Sequence, residues 1–402
     1  MTAKALVLIG TGLCLLTASA CTRRRPPPPA PAAATAGAPL AQVLRPASSA
    51  PPPPMPPDEV EQALGELAAD DLQLLAADYV NPSVVRLALA RSGRRWRAKW
   101  KAMGPGGSEV QEGVDGNNSP RCEVAAFLLA RELAGLAGAA QVLVPPVVVR
   151  ALHRDVPCDR GCRGVPRLLS AATPATFPEL NDHLVVGALS LWIEGARTPR
   201  RLHGELWSSE RFAAHGGYRR SVSDLFLFLY VIAHGDANYG PNFLLRLPDL
   251  GRAYSIDNGR AFDGLPYYVG EGDPDWQPLA TLAPGRLVAP RFAAPTVAAL
   301  ARLTPQRLHE LLALVAAVEL GTGRTVRAPR SDAALSALSR RPLEEVPGLR
   351  RRSRQTYTGA VAAGGPTFLL LGIGPAGIAQ TAARAAQAAA YLRRADGALF
   401  SD

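Results

Sequence analysis

Lysine is nearly missing from this chain. Lys4, Lys99 and Lys101 are its only lysines in 402 residues, while lysine and arginine together number 44. The net charge of +10 is therefore carried mainly by dispersed arginine. It is modest for the length and does not argue for a nucleic-acid partner. Aromatic residues make up 6% and form no stripe interleaved with basic ones, so the stacking platform of a single-strand binder is lacking. No segment repeats itself. The early apolar run at 5–16 is too short for a spanning helix, and no other candidate span precedes the C-terminal tail. A glycine-rich loop between the first strands is poorly represented, and Ser92-Gly93 is the only tight turn near them. Cysteine is sparse, five in all. Cys158 and Cys162, with His153 the only extra ligand nearby, make a weak metal signal, and a short-loop disulfide between them suits an exported chain. What is abundant is apolar residue, 48% of the chain, enough for a large core.

The N-terminus reads as an export signal over residues 1–21, with Lys4 as its positive start. Ala18-Ser19-Ala20-Cys21 resembles a bacterial lipoprotein cleavage site. That resemblance implies a lipid on Cys21, and a location in the bacterial cell envelope facing the periplasm or exterior. Residues 22–57 are rich in Pro and Ala, cannot bury enough apolar surface to order themselves, and read as a disordered tether. Beyond it, residues 58–79 carry an apolar stripe at helical spacing. A hairpin follows. Val85, Leu87 and Leu89 alternate on one strand, and Trp96, Ala98 and Trp100 on the next. The opposite face of the second strand is Arg95, Arg97, Lys99 and Lys101. A chain that otherwise uses arginine keeps two lysines here, compact charges suited to phosphate. Ser119-Pro120 then starts a helix, with Ser as cap and Pro in the first position. Glu123 lies one residue past the capping-box position, so capping does not explain it. Glu132 reads as a spare, solvent-facing acid.

The stretch at 230–263 organises the rest. An apolar helix at 225–233 ends at His234-Gly235, and a polar loop follows with Asp236, Asn238 and Asn242. Residues 243–247 and 253–256 read as two strands around the turn Pro248-Asp249-Leu250-Gly251. The second strand delivers Asp257-Asn258-Gly259. One hairpin thus joins two polar clusters, as metal-assisted phosphoryl transfer requires. This stretch resembles the catalytic and metal-binding segments of the protein-kinase-like superfamily, in its phosphoinositide-kinase and secretory-pathway-kinase branch. Lys101-Ala102-Met103, the helix around Glu123 and Val144-Pro145-Pro146 resemble the same branch, in the same order. The resemblance implies that Asp236 is the base, and that Lys101 holds phosphates while paired with Glu123. It makes Asp257 and Asn242 the metal ligands. In the family the Asn stands one residue earlier, where this chain has Pro241, so Asn238 is an alternative to Asn242. Leu191, Trp192 and Ile193 fall where the family joins its lobes and hydrogen-bonds the nucleotide base.

The expected fold is therefore α+β, a two-lobed protein-kinase-like fold with a small β-rich N-lobe over 58–190 and a mostly helical C-lobe over 191–345. Residues 304–320 are expected to form a helix of the second lobe. A tail at 346–402 carries an Ala-rich helix. In that tail Gly372-Ile373-Gly374-Pro375-Ala376-Gly377 follows an apolar run, but no second strand or acidic ribose ligand comes after it, so a dinucleotide fold is excluded. A docking helix or assembly segment is expected instead. The resemblance implies a phosphotransferase using ATP with Mg or Mn on an unknown hydroxyl acceptor. The alternative is a catalytically inactive kinase-like scaffold. The partners expected are nucleotide, acceptor and, through Cys21, a membrane, but no nucleic acid.

Overall fold

The structure is a computed structural model and describes residues 57–68, 72–81, 84–102, 120–139, 141–153, 184–198, 216–234, 242–246, 252–262, 292–319, 325–327, 339–342, 358–361, 367–394 and 399–400. All lie in one of the chain's two compact units, Pro46–Asp402. The architecture is mixed α and β, and both five-stranded sheets are antiparallel, consistent with an α+β arrangement. Cys21, Cys158, Cys162, Asp236 and Asn238 fall outside the described residues.

The first sheet has the order β1 (Gln73–Asn81), β2 (Val84–Arg91), β3 (Arg94–Ala102), β5 (Leu184–Leu191), β4 (Val147–His153). Every pairing in it is antiparallel. Its centre is the expected hairpin. Ser92 and Gly93 both have positive φ, 49° and 77°, the two-residue turn that matches strand twist. Val85, Leu87 and Leu89 face Trp100, Ala98 and Trp96 across the pair. All but the half-buried Trp96 are fully buried. Helix α1 (Pro57–Ala68) buries Val60, Leu64 and Leu67 and packs on β4 and β5. The helical stripe expected over 58–79 therefore ends early, and its second half is β1. There the antiparallel pairing with β2 overrides a short apolar run that periodicity alone does not decide.

Helix α2 (Pro120–Ala137) packs on β4 and β5. It ends on Gly138, whose φ is 60°. The Gly138 amide bonds to Gly135 O at 3.4 Å and the Ala139 amide to Ala134 O at 2.8 Å, which satisfies the last carbonyls. Helix α3 (Gly216–Val231) is apolar on every side from Leu225 to Val231, and that half is correspondingly buried. It closes with the same geometry, but Ala233 (φ 51°) takes the left-handed position that glycine usually holds. The chain then turns toward His234. The hairpin β7 (Phe243–Arg246) and β8 (Arg252–Ser255) is present as expected, with β6 (Ala196–Arg197) beside β7.

After β9 (Phe292–Ala293) come α4 (Ala294–Leu300) and α5 (Pro305–Leu312). Thr304 caps α5 by accepting the Arg307 amide at 3.1 Å. The helix expected to reach 320 stops at Leu312, because Ala316–Glu319 is strand β10, paired with β14 (Thr367–Leu371). A second antiparallel sheet results, ordered β11 (Thr325–Arg327), β10, β14, β13 (Thr358–Val361), β12 (Ser339–Pro342). Both neighbours of β14 are antiparallel, whereas a dinucleotide fold needs parallel ones. Helix α6 (Pro375–Arg394) docks on α3, α4 and α5 through buried Ala382, Ala385, Ala388 and Ala389. The last strand, β15 (Leu399–Phe400), pairs with β9. Among the described residues no helix is long and apolar enough to cross a membrane.

Gly187 on β5 sits where an added Cβ would lie 2.6 Å from Lys101 O and 2.6 Å from the Trp100 indole. Gly187→Ala is therefore expected to destabilise by about 1–3 kcal/mol. Gly135, exposed on α2 with open space around it, gives the opposite sign, a gain of about 0.5–1 kcal/mol on Gly135→Ala. Urea unfolding of the two variants checks the contrast, and equal effects would refute this packing of β5 on β3.

Candidate active site

Three chain segments meet at one carboxylate. Strand alternation puts Lys99 and Lys101 on the face opposite Trp100. The N-terminal half of α2 supplies Glu123. The hairpin β7–β8 supplies Asp257, two residues past the end of β8. Lys101 Nζ lies 3.4 Å from Glu123 Oε1 and 3.2 Å from Asp257 Oδ1. Lys99 Nζ contacts the same Asp257 oxygen. Glu123 is shared in turn, for its other oxygen accepts the Asn258 amide at 3.1 Å. One glutamate thus fixes both the lysine of β3 and the residue after the aspartate.

The Asp257 segment is held from within as well. Asp257 has φ 59° and ψ 40°, the left-handed region that Asp tolerates better than most residues. Asn258 is fully buried. Ser255 Oγ donates to Asn258 Oδ1 at 2.5 Å, and Asn258 Nδ2 reaches Ser255 O at 3.5 Å. His234, also fully buried, lies with Nε2 3.0 Å from Ile256 O. The acceptor is a carbonyl, so this ring nitrogen carries the proton and donates. Phe262 N donates to Ile232 O at 2.7 Å. The turn after α3, which leads toward Asp236, is thereby fastened to both ends of the Asp257 segment.

The electrostatics follow from burial. Burial of Lys101 works against its charge, but Asp257 and then Glu123 outweigh it and hold the ammonium above the ordinary lysine range. Burial of Asp257 favours the neutral acid, yet Lys101 and then Lys99 hold its carboxyl well below the usual carboxylate range. Both groups are therefore charged at neutral pH. A carboxylate flanked by two ammonium groups is equipped for an anionic ligand and a hard cation together.

Of the residues singled out from the sequence, Lys101, Glu123 and Asp257 come together. Asn242 opens β7, and its carbonyl accepts the Ile256 amide at 2.9 Å, next to Asp257. Leu191 ends β5, and Trp192 and Ile193 follow it. The Leu191 amide donates to Pro146 O at 2.9 Å and the Trp192 amide to Arg97 O at 3.0 Å. A base bonded there would meet carbonyls or Ile193, since both of those N–H groups are engaged. The Trp192 ring is flanked by the guanidinium groups of Arg86 and Arg97, each 5.6 Å from its centre, and Arg97 pairs with Glu194. Glu132 is not solvent-facing as expected. It accepts from Arg307 at 2.8 Å and is largely covered. Sequence reasoning kept Lys99 apart from the carboxylates, although it shares its strand parity with Lys101. It gave no role to Asn258, Ser255 or His234, whose small polar side chains look like turn residues until the fold buries them.

Among the described residues there is no cluster of three or more His, Cys, Asp or Glu that could cage a metal. A single carboxylate, Asp257, fits an ion that takes its remaining ligands from phosphate and water, as Mg commonly does. No known protein family matches the sequence, and no curated protein matches it. Among solved structures, the chain is similar to the structure of hydra Fam20 with sugar, at 13% identity and a TM-score of 0.35, over 61% of this chain and 75% of that one.

Glu123→Ala leaves a buried ammonium short of a partner and a buried amide unpaired. It is expected to cost about 3–5 kcal/mol. Glu132→Ala breaks a pair whose arginine is 39% exposed, and about 1 kcal/mol or less is expected. Guanidinium unfolding of both variants tests this, and comparable losses would contradict a central place for Glu123.

Proposed function

We propose that the chain is a kinase-like phosphotransferase with a two-lobed protein-kinase-like fold, which moves the terminal phosphate of ATP to a hydroxyl acceptor with Mg or Mn. The observation that carries this reading is Lys101 held between Glu123 of α2 and Asp257 of the hairpin. In phosphoryl transfer a lysine fixed by a helix glutamate grips the phosphates, and an aspartate beyond the catalytic loop holds the metal. Here Lys101 would bind phosphate oxygens, with Glu123 keeping its ammonium in place. Asp257, with Asn242 or Asn238, would hold the divalent ion. When bound, that ion neutralises charge on the phosphates. Asp236, two residues past His234, would orient the acceptor hydroxyl and take its proton. The new bond forms between that oxygen and the terminal phosphorus, the bond to the bridging oxygen breaks, and ADP leaves. Trp192 and Ile193 would border the base. The export signal and Cys21 make the protein a membrane-tethered lipoprotein of the bacterial cell envelope in the same proposal.

The test separates binding from turnover. Asp257→Ala is expected to abolish Mg-dependent stabilisation by ATP and all transfer. Asp236→Ala is expected to keep that stabilisation and to lower transfer about a hundredfold or more. Thermal shift with and without Mg, paired with transfer of labelled phosphate to cell-envelope extract or to the protein itself, reads both. Variants indistinguishable from wild type in both assays would sink the assignment. A Mg-dependent shift without transfer to any acceptor favours the inactive scaffold. Separately, Cys21→Ser is expected to move the protein from the membrane fraction to the soluble one, and unchanged fractionation would refute the anchor.

A further inference from the structure

Two ammonium groups share one oxygen of Asp257, and among the described residues only Lys101 has a second carboxylate. Lys101 keeps Glu123 at 3.4 Å. Lys99 has Asp257 as its carboxylate partner among the described residues. Lys99 and Asp257 are also the more open pair, with side chains 16% and 32% exposed against 10% for both Lys101 and Glu123. As the site stands, the charges of Lys99, Lys101, Asp257 and Glu123 cancel. A bare divalent ion arriving at Asp257 would meet two cations already on its ligand oxygen and would leave the cluster with two uncompensated charges. In a partly buried site such repulsion is weakly screened. Lysine is also a compact charge on a flexible stem, able to leave a carboxylate for a phosphate oxygen nearby.

We propose that Lys99 is a tethered counter-cation that closes Asp257 to free divalent ions, so that the metal enters only together with a polyphosphate ligand. The phosphate oxygens draw the Lys99 ammonium off Asp257 and supply the negative charge that the ion requires. Lys99 is in this sense a positioning residue for the order of binding, and Lys101 remains the fixed phosphate ligand. The inference rests on the reading of Asp257 as a metal ligand given above.

The experiment uses the full chain and Mn alone as probe. Free Mn is counted by electron paramagnetic resonance during titration, first without nucleotide and then with ADP. The expected result is weak Mn binding by wild type without nucleotide, and binding at least about tenfold tighter by Lys99→Met. Lys99→Arg, which keeps the charge, should behave like wild type. Adding Asp257→Asn to Lys99→Met should erase the gain. Lys99→Gln is read in the same way if Lys99→Met fails to fold, as judged by thermal melting. Equal Mn affinity in wild type and both uncharged variants overturns the proposal, and so does a gain that survives Asp257→Asn. Mn binding with ADP that is insensitive to Asp257→Asn shows instead that Asp257 is not a metal ligand. The underlying reading then fails first, and the proposal with it.

Discussion

The structure around the candidate site depends on how a buried ammonium is kept charged. Lys101 is almost wholly covered, a position that by itself favours the neutral amine. Glu123 and Asp257 reverse that preference, and each comes from a different element. Their separation in sequence is large, so the ion cluster ties a sheet, a helix and a hairpin to one point. The arrangement is tolerable because the remaining valences are used. The second oxygen of Glu123 takes the Asn258 amide, and the Asn258 side chain is satisfied by Ser255.

The C-terminal segment reinforces that point from behind. Arg121, two residues before Glu123, donates to Gly372 O at 3.1 Å. Gly377 lies so close to the Phe262 carbonyl that an added Cβ would stand 2.9 Å from it. Arg384 donates to Val231 O at 2.9 Å, covering one of the last carbonyls of α3 with a cation, as a helix C-terminus favours. Tyr230 OH donates to Gln387 at 3.1 Å. The start of α2, the end of α3 and the segment after Asp257 are thus all braced by α6 and the chain leading into it. A glycine-rich sequence that looks like a nucleotide motif serves here to let backbones approach.

Much of the fold was legible where a local rule acts alone. The β2–β3 hairpin follows from alternation and Ser92-Gly93, α2 from Pro120 and its apolar spacing, and α5 from Thr304-Pro305. A local rule fails where a short apolar run takes its state from a strand partner, adjacent for β1 and distant for β10. Spacing alone puts β1 in a helix and β10 at the end of another, because short runs of Leu, Ala and Val suit either period. Their state is set by β2 and β14, which supply the antiparallel hydrogen bonds.

By itself the sequence determined the chemistry available. Two lysines on one strand face, a glutamate that no cap explains and an aspartate at the end of a hairpin are properties of spacing and residue type. Tertiary structure alone decided which charges meet. It placed Lys99, as well as Lys101, on Asp257, buried Asn258 and His234 as struts, covered Glu132 with Arg307, and set the C-terminal helix against the end of α3. Those outcomes depend on contacts between residues far apart in the chain, and no local periodicity encodes the distance between two such side chains.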